Sequence, residues 1–224
     1  MVAAKAAQSG AAMKRGRRKT ENPETAQRIL AAAEKIFAQQ GLAGARTDEI
    51  ASAARVNKAM LYYYFSSKRR LHRAVLENLF KKLRDSVYPP RSSKTTSREQ
   101  LLNYVNSYFD FLVSHPNFPR LVQRAVMEAG ENFAWIAREY LIGFHRHVSR
   151  VIEDGIASGE FRKVDPHQAV LSINGLTVSY FAAAPIFSKV LGHNLLAPQA
   201  LANRRRALLD FLKHGLFRQE AKAE

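Results

Sequence analysis

Three consecutive tyrosines stand between two lysines: Lys58 precedes Tyr62, Tyr63 and Tyr64, and Lys68 follows them. Ammonium and phenol groups donate hydrogen bonds to phosphate oxygens, which take most of the hydrogen bonds that proteins make to DNA. Successive residues of a helix point about 100° apart, so a helix can bury only one or two of three neighbouring side chains. At least one of the tyrosines should point outward. The spacing favours contact with nucleic acid over the alternative, a purely hydrophobic seam.

The residues around this segment predict two short helices joined by a tight turn. Thr47 can cap the first helix, and Asp48 in its first turn favours the positive end of the helix dipole. Arg55–Val56 form a short turn, and Asn57 can cap a second helix that runs to about Tyr64. Two such helices followed by a long one make a helix-turn-helix unit, whose second helix enters the major groove of DNA.

The second helix carries residues that suit a groove about 12 Å wide. A helix that enters this groove should be short and carry small residues near its N-terminus, and Lys58-Ala59-Met60 meet that demand. Leu61 and Phe65 are four positions apart and should face inward, which anchors the helix. Lys68 is expected in the first turn of the next helix, where free backbone N–H groups already attract an anion.

The charge of the chain points to a polyanionic partner. Lys and Arg number 35 against 19 Asp and Glu, which gives a net charge of +16. Residues 1–70 hold 14 basic and 5 acidic side chains, so the first third carries more than its share of the excess. Residues 1–21 are predicted to be a basic flexible tail. Its run Lys14–Lys19 either reaches along DNA or remains a solvated tail, and the sequence leaves both readings open.

Composition argues against several other classes of protein. The absence of cysteine removes disulfide scaffolds, thiol nucleophiles and Cys-ligated metals. Uninterrupted apolar runs stay below the roughly 18 residues of a membrane span, and the N-terminus lacks the apolar core of a signal peptide, so we expect a soluble, cytoplasmic protein. Seven histidines occur without a zinc-protease motif, and no Gly-rich phosphate loop or serine-hydrolase elbow is found. We therefore expect no catalysis, cofactor or metal.

The rest of the chain is predicted to be helical, so the fold class is all-α. Asn22 and Pro23 suit the start of the first helix, Gly41 its end, and the pair Asp165-Pro166 the start of a later one. We expect a tail over 1–21, a helix-turn-helix domain over 22–70 and a larger helical domain over 71–219. After a polar linker at 91–98, apolar periodicity predicts helices over about 98–114, 119–129, 131–158, 166–183 and 198–217.

The helix-turn-helix segment resembles the TetR family of bacterial transcriptional regulators. The resemblance covers about residues 22–75 and depends on three runs: Thr47-Asp48-Glu49-Ile50-Ala51, then Ala54 to Phe65, then Ser67-Lys68 with Leu71. It implies that Thr47 and Lys68 bind phosphates and that Lys58-Ala59-Met60 face bases. This chain departs from the family pattern at Ala59, Met60 and Tyr64, so its operator sequence cannot be taken from relatives. The resulting DNA-binding set is Arg46, Thr47, Asp48, Asn57, Lys58, Ala59, Met60, Tyr62, Tyr63, Tyr64 and Lys68.

The resemblance also implies a small-molecule pocket and a homodimer. The last two helices would pair with those of a second chain, although a purely intramolecular core would give similar apolar stripes. Aromatic residues on the middle helices suit a largely apolar or planar ligand, although many of them would be ordinary core. The candidate ligand-binding residues are Tyr104, Tyr108, Phe111, Arg124, Glu128, Trp135, Phe144 and Asn174.

The sequence therefore predicts a ligand-responsive regulator of transcription. As the family's commoner mode implies, it would be a repressor that binds a palindromic double-stranded operator as a dimer and leaves it when an effector binds. Two alternatives come from other classes. One is a basic or architectural protein that binds DNA without reading its sequence, and the other is a helical enzyme that processes a small molecule.

Overall fold

The computed structural model describes residues 22–88, 95–127 and 131–218, with only the backbone described at 131–133. The predicted tail and its Lys14–Lys19 run lie outside these ranges. Within them the regular structure is helical, and one isolated antiparallel β-bridge joins Phe161 to Phe217. The predicted all-α fold class is confirmed.

Four helices form the N-terminal part. Their bounds are α1 Pro23–Gly44, α2 Thr47–Ala53, α3 Lys58–Phe65 and α4 Lys68–Val87. The remaining elements are α5 Ser97–Ser114, α6 Phe118–Met127, α7 Glu131–Ile136, a one-turn π segment Ala137–Leu141, α8 Ile142–Ala157, α9 Pro166–Leu191 and α10 Pro198–Leu216.

Most of the predicted helix starts are confirmed by their capping hydrogen bonds. The side chains of Asn22, Asn57 and Asp165 each accept a bond from a backbone N–H in the first turn of the helix that follows, and Ser67 does the same at the start of α4. The cap predicted at Thr47 is wrong. Arg46 is the cap residue of α2 and makes no side-chain bond there, because Thr47 already has a helical backbone.

Three helices depart from the predicted pattern. Gly41 adopts a positive φ of 73°, which breaks α1 as expected, but a further turn carries the element to Gly44. The long helix predicted over 131–158 is interrupted by the π segment. α9 continues past the predicted end at 183 and through Pro185 to Leu191, because one lost hydrogen bond does not end a helix of 26 residues.

α4 connects the two halves of the molecule. It packs on α1 and α3 of the N-terminal part and on α5 and α6 of the remainder, and Leu71 and Val75 are among its buried residues. Phe80, from the second half of α4, lies with its ring centroid 5.2 Å from that of Phe118 on α6 and 5.1 Å from that of Tyr140. α6 also packs on α1. Because packed helices transmit strain, a displacement of α4 or α6 would reach the N-terminal unit.

Candidate DNA-binding surface and effector pocket

The helix-turn-helix is held together by a small buried contact. Ile50 and Ala51 of α2 are buried, as is Leu61 of α3, so both helices present one face to the core. The turn between them uses a positive φ of 56° at Arg55, and Asn57 Oδ1 then accepts a bond of 2.7 Å from the backbone N–H of Met60. This geometry leaves the opposite face of α3 open to solvent.

The exposed face of α3 carries the residues predicted to meet DNA. Lys58 and Ala59 are exposed, and Met60 is half-buried at the edge of that face. Tyr62 is 40% exposed and Tyr63 is 58% exposed, so two of the three tyrosines point outward. Polar and aromatic groups thus line one side of a helix of eight residues.

Tyr64 is the tyrosine that turns inward. It is half-buried, and its hydroxyl accepts a bond of 3.0 Å from the backbone N–H of Asn22 at the start of α1. The Tyr64 side chain therefore links the end of α3 to the cap of α1. Its contact with DNA stays a prediction.

Lys58 and Asp48 form an ion pair on this surface. The Lys58 Nζ lies 2.9 Å from Asp48 Oδ1, and both side chains are about half exposed. The hydrogen bond and the negative charge of Asp48 raise the pKa of Lys58. Asp48, which sequence reasoning placed among the DNA-contacting residues, holds the side chain of Lys58 toward α2.

Two further contacts arrange the phosphate-binding candidates. Thr47 Oγ1 and the Tyr62 hydroxyl lie 3.4 Å apart, so α2 and α3 present adjacent hydroxyl groups. The Lys68 Nζ donates bonds of 3.2 and 3.0 Å to the carbonyl oxygens of Ala43, in the last turn of α1, and of Ala45, in the connection from α1 to α2. An ammonium has three donors, so Lys68 can hold this connection and keep one for a phosphate.

Four of the predicted ligand-binding residues lie near one another on α5, α8 and α9: Tyr104, Tyr108, Phe144 and Asn174. The Tyr108 hydroxyl donates a bond of 3.2 Å to Asn174 Oδ1, and the ring centroids of Tyr104 and Tyr108 lie 6.1 Å apart. Burial raises the pKa of both tyrosines, so each keeps its phenolic proton as a hydrogen-bond donor.

Two residues that sequence reasoning missed complete this group. The ring of Tyr88 stacks on Phe144 at 5.5 Å and meets the edge of His147 at 4.6 Å. Burial raises the pKa of Tyr88 to about 12. In the sequence, the only sign of this role for Tyr88 is that an aromatic residue follows the apolar stripe of α4. We call the five rings Tyr88, Tyr104, Tyr108, Phe144 and His147 the interior aromatic cluster, and Asn174 lies at its edge.

Other predicted ligand-binding residues lie elsewhere. Phe111 packs on Phe118, on the side of α5 that faces α6. Trp135 lies under Arg73 of α4, whose guanidinium carbon is 4.2 Å from the ring centroid. Arg124 donates a bond of 3.0 Å from Nη2 to the Gln39 carbonyl of α1. Glu128 lies outside the described residues.

Arg124 therefore contacts the N-terminal unit in this structure. A second bond of 3.1 Å joins Asn117 Nδ2, next to α6, to Glu34 Oε1 of α1. The connection between α6 and α1 is thus partly polar and directional. Sequence reasoning could not find these pairs, because their members are more than 80 positions apart.

α9 and α10 leave large apolar side chains in solvent. In the single chain, Ile186 is 68% and Val190 is 71% exposed, and Leu171, Phe187, Leu191 and Phe211 are also exposed. α9 is long and apolar enough to cross a membrane by length and composition. Polar residues interrupt its apolar ones, so a count of uninterrupted apolar residues does not detect it. Buried core helices of soluble proteins pass the same test.

Two sequence models of known families match the chain. Residues 29–75 match the model described as bacterial regulatory proteins, tetR family. Residues 98–212 match the model described as tetracyclin repressor-like, C-terminal domain. The first match contains α2 and α3, and the second extends from α5 into α10.

Curated proteins and solved structures give a consistent result. The chain is 29% identical over 212 residues to the HTH-type transcriptional repressor NicS of Pseudomonas putida, covering 92% of this chain and 98% of that protein. The crystal structure of SCO4942 from Streptomyces coelicolor has a TM-score of 0.65 and 28% identity, covering 86% of this chain and 98% of that one. A protein from Saccharomonospora viridis, solved in complex with choline, has a TM-score of 0.72 at 18% identity, covering 88% of this chain and all of that one, and shows the fold alone.

Proposed function

The chain belongs to the TetR family of bacterial regulatory proteins, and on that premise we propose that it is a ligand-responsive transcriptional repressor. It acts as a DNA-binding regulator and not as an enzyme. In this proposal the protein binds a palindromic operator as a homodimer and leaves it when a small molecule binds the C-terminal domain. We expect the protein to work in the cytoplasm, where bacterial DNA is located.

The observation that carries the proposal is the exposed face of α3. The Lys58 ammonium lies at the N-terminus of that helix, where recognition helices contact base edges, and Tyr62 and Tyr63 stand beside it. Lys and Tyr donate hydrogen bonds to bases or phosphates, and Met60 offers an apolar contact to a thymine methyl group. Thr47 and Lys68 flank this face at the first turns of α2 and α4, where backbone N–H groups favour phosphate.

The homodimer is supported by the apolar face of α9 and α10. Side chains such as Ile186 and Val190 lose contact with water only if another surface covers them. A second copy of the same face is the simplest cover, because two-fold symmetry pairs identical surfaces. It also supplies the second recognition helix, which a palindromic operator requires about 34–36 Å from the first.

The effector is expected to bind at the interior aromatic cluster. Aromatic rings form most of this cluster, and the hydroxyls of Tyr104 and Tyr108 add donors that keep their protons. Such a site suits a small molecule with a planar or apolar body and one or two polar groups. Asn174, the partner of Tyr108, is exposed and lies at the edge of the cluster.

Release from DNA would follow from the contacts between α6 and α1. A ligand that moves α6 displaces Arg124 and Asn117, which hold α1 through Gln39 and Glu34. The N-terminal units of the two subunits would then stand at the wrong spacing for successive major grooves. Because coupling between two sites is reciprocal, operator DNA should weaken effector binding by the factor by which the effector weakens operator binding.

Selection of bound sites from random double-stranded DNA tests this proposal. A repressor of this kind should enrich a palindrome whose half-sites lie one helical turn apart, and the genes beside its best genomic match would narrow the effector class. A basic architectural protein is the second candidate, favoured by the net charge of +16. Selection that enriches no sequence would support that candidate and contradict the repressor.

A further inference from the structure

A groove on the outer side of α8 is separate from the interior aromatic cluster. Its volume is about 450 Å³, and it is lined by α8, by the π segment and by one residue of α9. Leu141 and Ile142 give it an apolar end, whereas Arg146 and Arg150 lie along its length. The groove therefore combines apolar and cationic walls.

Ser149 lies inside this groove with an unused hydroxyl. The residue is only 4% exposed, and its Oγ has no hydrogen-bond partner among the described residues. Burying a hydroxyl without a partner is unfavourable, so native proteins seldom leave one in this state. The unused donor of Ser149 is therefore available to a molecule bound in the groove.

The wall at the α9 end is fixed by two histidines. His145 Nε2 lies 2.8 Å from His167 Nδ1, and the ring planes differ by only 5° with centroids 5.0 Å apart. Rings that share a plane and meet through one N–H···N bond have this separation, so the contact is edge to edge and not a face-to-face stack. These two nitrogens are engaged with each other in one hydrogen bond, so neither is free to bind a metal ion.

The two arginines are one helical turn apart and have no described ion-pair partner. Like charges at this spacing repel each other, and an anion placed between them removes that repulsion. A guanidinium offers paired N–H donors that match the two oxygens of a carboxylate. Glu153 also lines the groove, and it would repel an anion that bound beside it.

We propose that this groove binds a small organic anion with an apolar body. Its carboxylate would lie between Arg146 and Arg150 and accept a bond from the Ser149 hydroxyl, and its apolar part would lie against Leu141 and Ile142. This inference does not depend on the proposed repressor function, because nothing in it involves DNA.

Equilibrium dialysis of the full-length protein against radiolabelled hexanoate tests the proposal. Hexanoate should bind saturably, whereas hexanol, which lacks the charge, and inorganic phosphate, which lacks the apolar body, should each bind more weakly. If hexanol bound as tightly as hexanoate, the proposal that the ligand is an anion would be overturned. If phosphate bound as tightly, the proposal that the ligand has an apolar body would be overturned. Failure of hexanoate to bind saturably would overturn the proposal itself.

Four variants locate the site. Arg150→Gln should weaken hexanoate binding about tenfold, because a hydrogen bond between charged groups is lost. Ser149→Ala should weaken binding without lowering the melting temperature, since it removes a hydroxyl that has no partner in the free protein. Glu153→Gln should strengthen binding, and Arg120→Gln, an exposed arginine of α6, should leave it unchanged. Equal binding by the wild type, Arg150→Gln and Ser149→Ala would place hexanoate elsewhere and refute the assignment.

Discussion

The Nζ of Lys58, the first residue of α3, lies 2.9 Å from a carboxylate oxygen of Asp48, in the first turn of α2. The pair joins the two helices of the helix-turn-helix on the side that faces solvent. A lysine expected to contact bases is thus already paired in the free protein. To bind Lys58, DNA must supply an acceptor that replaces Asp48 or shares the ammonium with it. The Asp48 carboxylate also repels nearby phosphates, so electrostatic attraction alone does not favour contact at this position.

Asp48→Asn should raise affinity for DNA of any sequence and reduce discrimination between sequences. Removing the carboxylate frees the Lys58 ammonium for phosphates, and an exposed pair of this kind should change binding about two- to fivefold. Titrations of a selected operator and of a scrambled duplex at one salt concentration measure both effects. Lower affinity for both duplexes would show instead that Asp48 supports binding directly.

Lys58 and Lys68 should respond differently to substitution. Lys58→Met should change sequence preference, whereas Lys68→Met should weaken all duplexes alike and lower the salt dependence by about one phosphate contact. Competition assays over a range of salt concentrations separate the two outcomes. Uniform losses for both variants would contradict direct base contact by Lys58.

Lys68→Met should also destabilise the fold. Its Nζ bridges the carbonyls of Ala43 and Ala45, and loss of bonds from a charged donor should lower the free energy of unfolding by about 1–2 kcal/mol. Urea denaturation measures this change, with Arg69→Gln, an exposed neighbour on α4, as the control. Unchanged stability would mean that water replaces the two bonds without cost.

The paired substitution Ile186→Glu with Val190→Glu should produce monomers. Both side chains are exposed in the single chain, so the monomer should keep its fold while carboxylates prevent burial of the face. Sedimentation equilibrium should report one chain for the variant and two for the wild type, and operator affinity should fall. Lys189→Gln, on the same turn, is the control, and a variant that stays dimeric would exclude this face from the interface.

Glu160 should make stability depend on pH. Burial acts to raise its pKa, but bonds from the backbone N–H groups of Arg98 and Ser97 and from Ser158 outweigh burial and lower it. A carboxyl whose pKa is lower in the folded state stabilises the protein above its unfolded pKa, and this contribution is lost as the pH falls through the folded value. Glu160→Gln should cost about 1 kcal/mol at neutral pH, as loss of a helix-capping carboxylate does.

Melting curves between neutral pH and the acid range test this prediction. The wild type should lose more stability on acidification than Glu160→Gln, so the two curves should converge. The comparison variant is Glu99→Gln, which removes an exposed carboxylate from the capping box of α5, the helix whose first N–H groups also donate bonds to Glu160. Parallel curves at all pH values would show that Glu160 does not titrate differently in the folded state.

Local signals allowed much of the fold to be predicted from sequence. The side chains of Asn57 and Asp165 cap the helices that follow them, and these caps act within three residues. The inward positions of Leu61 and Phe65 follow from helical spacing, which also explains why Tyr62 and Tyr63 are exposed. Such features depend on neighbouring residues alone.

Contacts over long distances along the chain could not be predicted in this way. Lys68 meets carbonyl oxygens, which every residue carries, so no residue type marks its partners. The Tyr64 hydroxyl reaches Asn22, and Arg124 reaches the carbonyl of Gln39, only because the packed helices bring them together. Arg124 is among the polar residues that could contact a ligand, and that role stays a prediction, but its bond to α1 has no signal in the sequence.

Competition between operator and random DNA at fixed salt tests the central claim most directly. The claim is that the exposed face of α3, led by Lys58, reads base sequence in a dimer. The full-length protein should prefer its selected palindrome over a scrambled duplex of equal length by about 10³ or more. Equal affinity for the two duplexes, with the protein shown to be folded and dimeric, would contradict it.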